Sequence, residues 1–358
     1  MKIKRFLSVL LLSVMAVSVV GCHEKDEIAV KIGDVEFTSA YYMCALINAD
    51  SEAKTKVEES LSEEELNSED LDYYSKKIDG KKYVTWVEDT AIKNLEKIAA
   101  YKILCKEAKL EIEESELANS KSYASYYWNS YGYSSYFELN GVGENTFTQF
   151  MVDTSYSSLY FDYLYGKDGE KAVDEETLKN AIYDNFVIAD MLEISFDDKT
   201  EDEITELKSQ AESYLLSLQN KTMTFEEVYN AYNGITEDAS ADETDTDEAQ
   251  PADKYASILG AEDSGYDSDY YDEIKAMAVN EVKIIEQEDN ASLVLAVKQD
   301  IKADAYYIDN LDTAARHLLM DDDYEEYINS YIEDLSVDVD KYATGQFKVK
   351  KIKVPEQS

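Results

Sequence analysis

Proline is nearly missing from this chain: 358 residues contain two, Pro251 and Pro355, beside twelve glycines. No Gly or Pro falls between Lys81 and Tyr131, between Glu170 and Asn233, or between Tyr266 and Thr344. Stretches that long without a breaker favour long helices. Histidine is equally scarce, with only His23 and His317, which excludes a histidine-rich metal site. Base is short against acid: 34 Lys and Arg face 77 Asp and Glu, a formal net charge of −43. Phosphate binding needs a basic surface, so nucleic acid is excluded as a partner. No serine elbow, metal-ligand histidine pair or glycine-rich phosphate loop is present, so hydrolytic chemistry has no support. Nor does strand alternate with helix for long enough to build a doubly wound lobe.

Some things are present in quantity. Hydrophobic residues make up 44% of the chain, enough for a real core. Residues 1–22, MKIKRFLSVLLLSVMAVSVVGC, join a basic start (Lys2, Lys4, Arg5) to an apolar run that ends in small residues. That is the layout of a secretory signal, too short for a comfortable spanning helix. Val19-Val20-Gly21-Cys22 looks like a bacterial lipobox, in which the thiol is acylated and cleavage makes Cys22 the first mature residue. The chain beyond Cys22 is then expected on the extracytoplasmic face of the bacterial cell membrane. An anionic bilayer repels so acidic a chain, so lipid rather than charge has to hold it there. Cys44 and Cys105 sit in apolar stretches and read as buried free thiols, with a disulfide left open by the exported location.

Along the mature chain, Ile28–Phe37 alternates around Gly33-Asp34 as a small strand pair, and Thr38 or Ser39 caps an apolar helix. Residues 50–80 are polar and acidic and read as a mobile insertion. From Tyr83 to about Leu110 a wide helical stripe runs through Val84, Val87, Ala91, Leu95, Ile98 and Lys102. Residues 123–137, YASYYWNSYGYSSYF, form a Tyr/Ser block. It reads either as a binding surface or as side chains packed between helices. Residues 144–165 and 173–183 are helical again. At 186–196 the period drops to two, placing Phe186, Ile188, Asp190, Leu192, Ile194 and Phe196 on one face of a strand and Val187, Ala189, Met191 and Glu193 on the other. A helix follows with Ile204, Leu207, Ala211, Leu215 and Leu218 on one side, then a capping box that starts another at Thr224. Residues 236–253 lack any large apolar side chain and read as a solvated acidic loop. Their spacing has no glycine at a sharp turn and no closing glutamate, which speaks against calcium. A short helix at Tyr270–Val279, a hairpin of Glu281–Glu286 with Ala291–Val297, a helix from about Thr313 to Leu335 and a strand over Gln346–Val354 complete the order.

That order resembles the parvulin-type foldases of the PrsA/SurA group. Ile32-Gly33-Asp34-Val35 is similar to the family's opening, Lys109–Glu116 to its turn into the next helix, and Val173–Tyr183 to the lead-in to its parvulin domain. Met191-Leu192-Glu193-Ile194 stands where the family has His-Ile-Leu-Ile, and Phe225-Glu226-Glu227-Val228 at its Phe-containing helix start. Ala276–Val282 resembles its entry to the hairpin, with Asn280 in the place of glycine. The resemblance implies an α+β fold: a helix-rich SurA-like module from the N- and C-terminal segments, with a parvulin-like antiparallel-sheet domain inserted between them. The expected limits are 1–22 for the lipoprotein signal, 23–183 for the helical N-terminal domain, 184–301 for the parvulin-like domain with its loop 236–253, and 302–358 for the C-terminal helix and strand.

The family's two pocket histidines correspond to Met191 and to Leu293 (or Ser292). With Phe225 these are expected to form a degenerate pocket, and no catalytic residue, metal or cofactor is expected. Isomerisation of a prolyl bond needs no proton transfer, only a pocket that favours the twisted amide, so the loss does not by itself exclude activity. The leading expectation is a lipid-anchored chaperone that binds unfolded exported polypeptides, with Tyr123, Tyr127 and Tyr131 as candidate client-binding residues. Its partners are then those chains and the membrane through Cys22, with room for a homodimer. An active prolyl isomerase is one alternative, and a sugar- or peptide-binding lipoprotein whose Tyr/Trp cluster stacks on its ligand is another.

Overall fold

A computed structural model describes residues 26–66, 68, 71–235, 255–262, 264–286 and 291–355. Cys22 and its lipobox, the acidic loop 236–253 and the hairpin turn 287–290 lie outside the described residues. In chain order the elements begin with strands β1 (Ile28–Ile32) and β2 (Val35–Thr38), helices α1 (Ser39–Glu58) and α2 (Glu63–Leu66), and a tiny hairpin, β3 (Lys77–Ile78) with β4 (Lys81–Lys82). Helices α3 (Tyr83–Ala108), α4 (Glu114–Ser130), α5 (Tyr133–Leu139), α6 (Glu144–Tyr165) and α7 (Glu175–Asn185) follow. Then come β5 (Phe186–Ser195), α8 (Glu201–Gln219), α9 (Phe225–Asn233), β6 (Ala256–Gly260), α10 (Tyr271–Ala276), β7 (Val282–Glu286) and β8 (Ser292–Gln299). The chain closes with α11 (Ala305–Glu333), β9 (Val337–Val339) and α12 (Lys341–Gly345). The class is α+β, helix-rich with small antiparallel sheets.

Two compact units result: residues up to Tyr160 together with Ile328 onward, and the intervening Phe161–Tyr327. In the first unit, β1 and β2 form a hairpin around Gly33, and β9 from the far end of the chain pairs antiparallel with β1. Thr38 caps α1, its hydroxyl accepting from the Tyr41 amide at 3.2 Å. The core joins Ile32, Phe37 and Leu46 to the α3 stripe of Val87, Ala91, Leu95 and Ile98, and to Trp128 and Phe147. The described parts of residues 50–80 pack against the core, where their polarity implies a mobile insertion. Helix α1 continues to Glu58 because Ala53 and Val57, four residues apart, extend its buried stripe, and Ile78 joins the same core. The buried Asp50 carboxylate is satisfied by the Tyr83 hydroxyl at 2.9 Å and the Lys54 ammonium at 2.8 Å. The strand expected over Gln346–Val354 is absent too. Phe347, Val349 and Ile352 reach the core from a 3-10 turn at Val349–Lys351, whose backbone bonds are local. The strand of this segment is β9, three residues long and placed earlier.

The second unit is built on a four-stranded antiparallel sheet in the order β6-β5-β8-β7. On one face Val187, Ala189, Val294, Ala296 and Ile285 pack against Ile274 and Met277 at the end of α10. On the other, Leu192, Ile194, Leu293 and Leu295 meet Ala211 of α8 and Phe225 and Val228 of α9. Phe186 leaves the start of β5 to join Leu178 and Ile182 of α7 and Leu311 and Ala315 of α11. This unit therefore includes α7 and most of α11, outside the limits 184 and 301 of the sequence reading. Asn280 takes the left-handed conformation (φ 63°) that its glycine-like place before β7 requires.

Candidate functional site

The Tyr/Ser block divides at Gly132, whose φ of +72° is a left-handed conformation that a side chain resists. Helix α4 stops there and α5 starts, so the tyrosines on either side of the break converge rather than spiral away. The rings of Tyr126 and Tyr131 are 5.4 Å apart, those of Tyr127 and Tyr131 5.3 Å, and Tyr127 stacks on Tyr133 at 5.7 Å with 25° between planes. Tyr133 stands edge-on to Phe137 at 5.9 Å, and Phe137 lies 4.8 Å from Phe147. Phe147 and Trp128, 5.4 Å apart, belong to the core of the first unit. A file of rings thus runs from the core to the surface. Aromatic pairs of this kind contribute about 0.5–1.5 kcal/mol each beyond their buried area, which stiffens the exposed end.

That end is open. Tyr123, Tyr126 and Tyr131 expose 64, 53 and 61% of their surface. Tyr133 and Leu139 are exposed as well, so large apolar side chains gather here in one place rather than singly. Asn140 fixes the end of α5: its amide nitrogen donates to the Tyr136 and Lys353 carbonyls, both at 2.8 Å, and its oxygen accepts from the Lys353 amide at 2.9 Å. Of the three expected tyrosines, Tyr123 and Tyr131 are exposed, while Tyr127 is half-buried against the core. Tyr126 and Tyr133 were not singled out by the sequence reading. The helical step from Tyr123 to Tyr126 was legible, but the convergence across Gly132 depends on a backbone angle.

The three expected pocket residues, Met191, Leu293 and Phe225, do not share one face of the sheet. Met191 pairs in register with Ala296, and Leu293 with Ile194. Side chains alternate along a strand, so Met191 lies on the α10 face of the sheet, while Leu293 and Phe225 lie together on the α8–α9 face. A correspondence set by sequence order cannot see this, because a shift of one residue exchanges the faces. Ser292, the neighbouring choice, is buried at the start of β8 and has the parity of Val294 and Ala296, so it shares the face of Met191. The polar feature of the sheet is Asp190, buried on β5, whose carboxylate accepts from the Gln299 amide nitrogen at 2.6 Å. It was visible in the sequence as the one charge on an apolar strand face.

Among the described residues no group of three or more His, Cys, Asp and Glu side chains is placed to hold a metal ion, and no helix is long and apolar enough to cross a membrane. No known family profile matches the chain, and no curated protein matches it. A solved structure that does match is the crystal structure of the foldase protein PrsA from Lactococcus lactis. It is 12% identical, with 88% of this chain and 96% of that chain covered and a TM-score of 0.40. A score that low is a distant likeness, and it assigns no role to any residue.

Proposed function

We propose that the protein is an extracytoplasmic folding factor, held at the membrane by lipid on Cys22, that keeps unfolded exported polypeptides from aggregating on the tyrosine face of its first unit. The observation that carries this reading is the exposed file of Tyr126, Tyr131 and Tyr133, rooted through Phe137 and Phe147 in a packed core. Tyrosine suits clients of varied sequence, since it offers apolar area at little entropic cost and a hydroxyl that accepts or donates. The parvulin-like motifs and the four-stranded antiparallel sheet support a place near the PrsA/SurA foldases. In this proposal the sheet unit is a scaffold rather than an efficient prolyl isomerase, since Met191 and Leu293 (or Ser292) stand where the resemblance implies two histidines.

The test is suppression of aggregation of a heat-unfolded client by the wild type and by a combined Tyr123→Ser, Tyr126→Ser, Tyr131→Ser variant. The variant is expected to lose most of the suppression while staying folded, with a modest fall in melting temperature from the lost ring pairs, because these side chains are more than half exposed. Equal suppression by both proteins overturns the proposal.

A further inference from the structure

The tyrosine face carries a second kind of information, its charge. Seven residues make two helical turns, so Glu116 lies on the same side of α4 as Tyr123, with Tyr126 and Tyr127 one turn further on. Lys121, the one base between residues 113 and 147, is about half a turn away from Tyr123 and so lies on the opposite side of the helix. In the same span the acids number five: Glu113, Glu114, Glu116, Glu138 and Glu144. Glu138, on α5, and Glu144, at the start of α6, are exposed. None of the five is ion-paired with a described residue. The helices that carry the aromatic face therefore hold more acid than base, with Glu116 on the side of Tyr123, while the C-terminal segment meets the end of α5 through the Lys353 backbone at Asn140.

We infer that this face selects extended polypeptide segments in which Lys or Arg alternates with apolar side chains. The inference rests on the reading of the face as a chain-holding surface. Two effects act in the same direction. Ring faces attract cations through their quadrupole, most strongly guanidinium, and the unpaired carboxylates of these helices raise the local concentration of a cationic chain and repel an acidic one. The apolar side chains of such a segment cover the rings, while its basic side chains reach the acids at the margin. The same charge argues against a second copy of this chain as the occupant, since two such faces bring like carboxylates together within a chain of net charge −43.

Two labelled unstructured peptides of equal length and apolar content test this by fluorescence anisotropy on the full chain, one interspersed with Arg and Lys, the other with Glu and Asp. The basic peptide is expected to bind at least tenfold more tightly at low salt, with the ratio shrinking in 0.5 M salt as screening shortens the field to a few ångströms. The Tyr123→Ser, Tyr126→Ser, Tyr131→Ser variant is expected to lose binding of both peptides. A Glu116→Gln, Glu138→Gln, Glu144→Gln variant is expected to keep apolar binding and lose most of the preference, with circular dichroism showing both variants folded. Equal affinity for the two peptides, abolished by the tyrosine changes, overturns the inference and leaves the chain-holding reading standing. A preference that survives the glutamate changes also overturns it, by assigning the selection to the charge of the whole molecule. Binding of both peptides that the tyrosine changes leave intact removes the chain-holding reading itself. A concentration-dependent dimer abolished by the tyrosine changes makes the second copy the occupant and overturns the inference.

Discussion

One carboxylate ties together three helices of the first unit. Asp153 on α6 is buried, and it accepts from the Tyr41 hydroxyl of α1 at 2.9 Å, the Lys102 ammonium of α3 at 2.7 Å and the Gln149 amide at 2.7 Å. Such a group is weak evidence for net stability, because its desolvation offsets much of the attraction, but removing it strands its partners. With Asp153→Ala, Lys102 keeps partial access to water while the Tyr41 hydroxyl is left buried with no acceptor. The expected loss is about 3 kcal/mol, at the lower end of the range for a broken buried pair, and Asp153→Asn should cost less. Urea unfolding decides it; a change below about 0.5 kcal/mol, the scale of an ordinary surface substitution, would mean that Asp153 does not join the helices. Cys44 and Cys105 are a second case at this scale. Both are buried free thiols, and burial pushes the Cys105 thiol up to about 11. Its thiolate, the form that reacts, is scarcer at pH 8 than in an ordinary cysteine. Alkylation read by mass spectrometry should therefore leave both unmodified in the native protein and modify both through the urea transition. Rapid native labelling at Cys105 would contradict its burial.

Elements with a strong local signal were legible in the sequence. Helix α9 begins where Thr224 and Glu227 exchange hydrogen bonds with each other's backbone, and β5 follows its period of two. The two faces of β5 could be listed from the sequence: Val187, Ala189 and Met191 enter one cluster and Leu192, Ile194 and Phe196 the other, while Phe186 joins the helices α7 and α11 instead. Legibility ended where an element exists only through a partner. Strand β6, Ala-Ser-Ile-Leu-Gly, has no pattern of its own and is held by β5. At three residues, β9 is too short to show a period and depends on β1, about three hundred positions earlier. The candidate pocket failed for the same reason, since register rather than order decides which side chains meet. This bears on the sheet as a catalyst. Prolyl isomerisation requires a cavity that binds the twisted amide better than the planar one, yet Met191 and Leu293 each sit among apolar neighbours and Ser292 is buried. A protease-coupled peptide assay is expected to show turnover near the uncatalysed rate. Turnover comparable to a working parvulin, abolished by substitutions at Met191, would return the protein to the enzymes.

At the scale of the whole molecule, charge and attachment have to be considered together. A formal charge of −43 on 358 residues is repelled by an anionic leaflet, and repulsion between exposed charges reaches only about 8 Å at physiological salt. A lipid at the N-terminus therefore needs only a short tether to hold the acidic body beyond that range. Each methylene buried contributes about 0.8 kcal/mol, so a single chain anchors marginally and two or more anchor stably. With Cys22 as the acylated residue, attachment should not depend on ionic strength, because no basic surface contributes to it. Metabolic labelling with a palmitate analogue is expected to mark the wild type and not Cys22→Ala. The wild type should stay in the membrane fraction through a 1 M salt wash, while Cys22→Ala appears in the soluble fraction with its melting temperature unchanged. Release of the wild type by salt would mean that a protein partner holds it there. Equal labelling of both proteins would place the lipid elsewhere and remove Cys22 from the anchor.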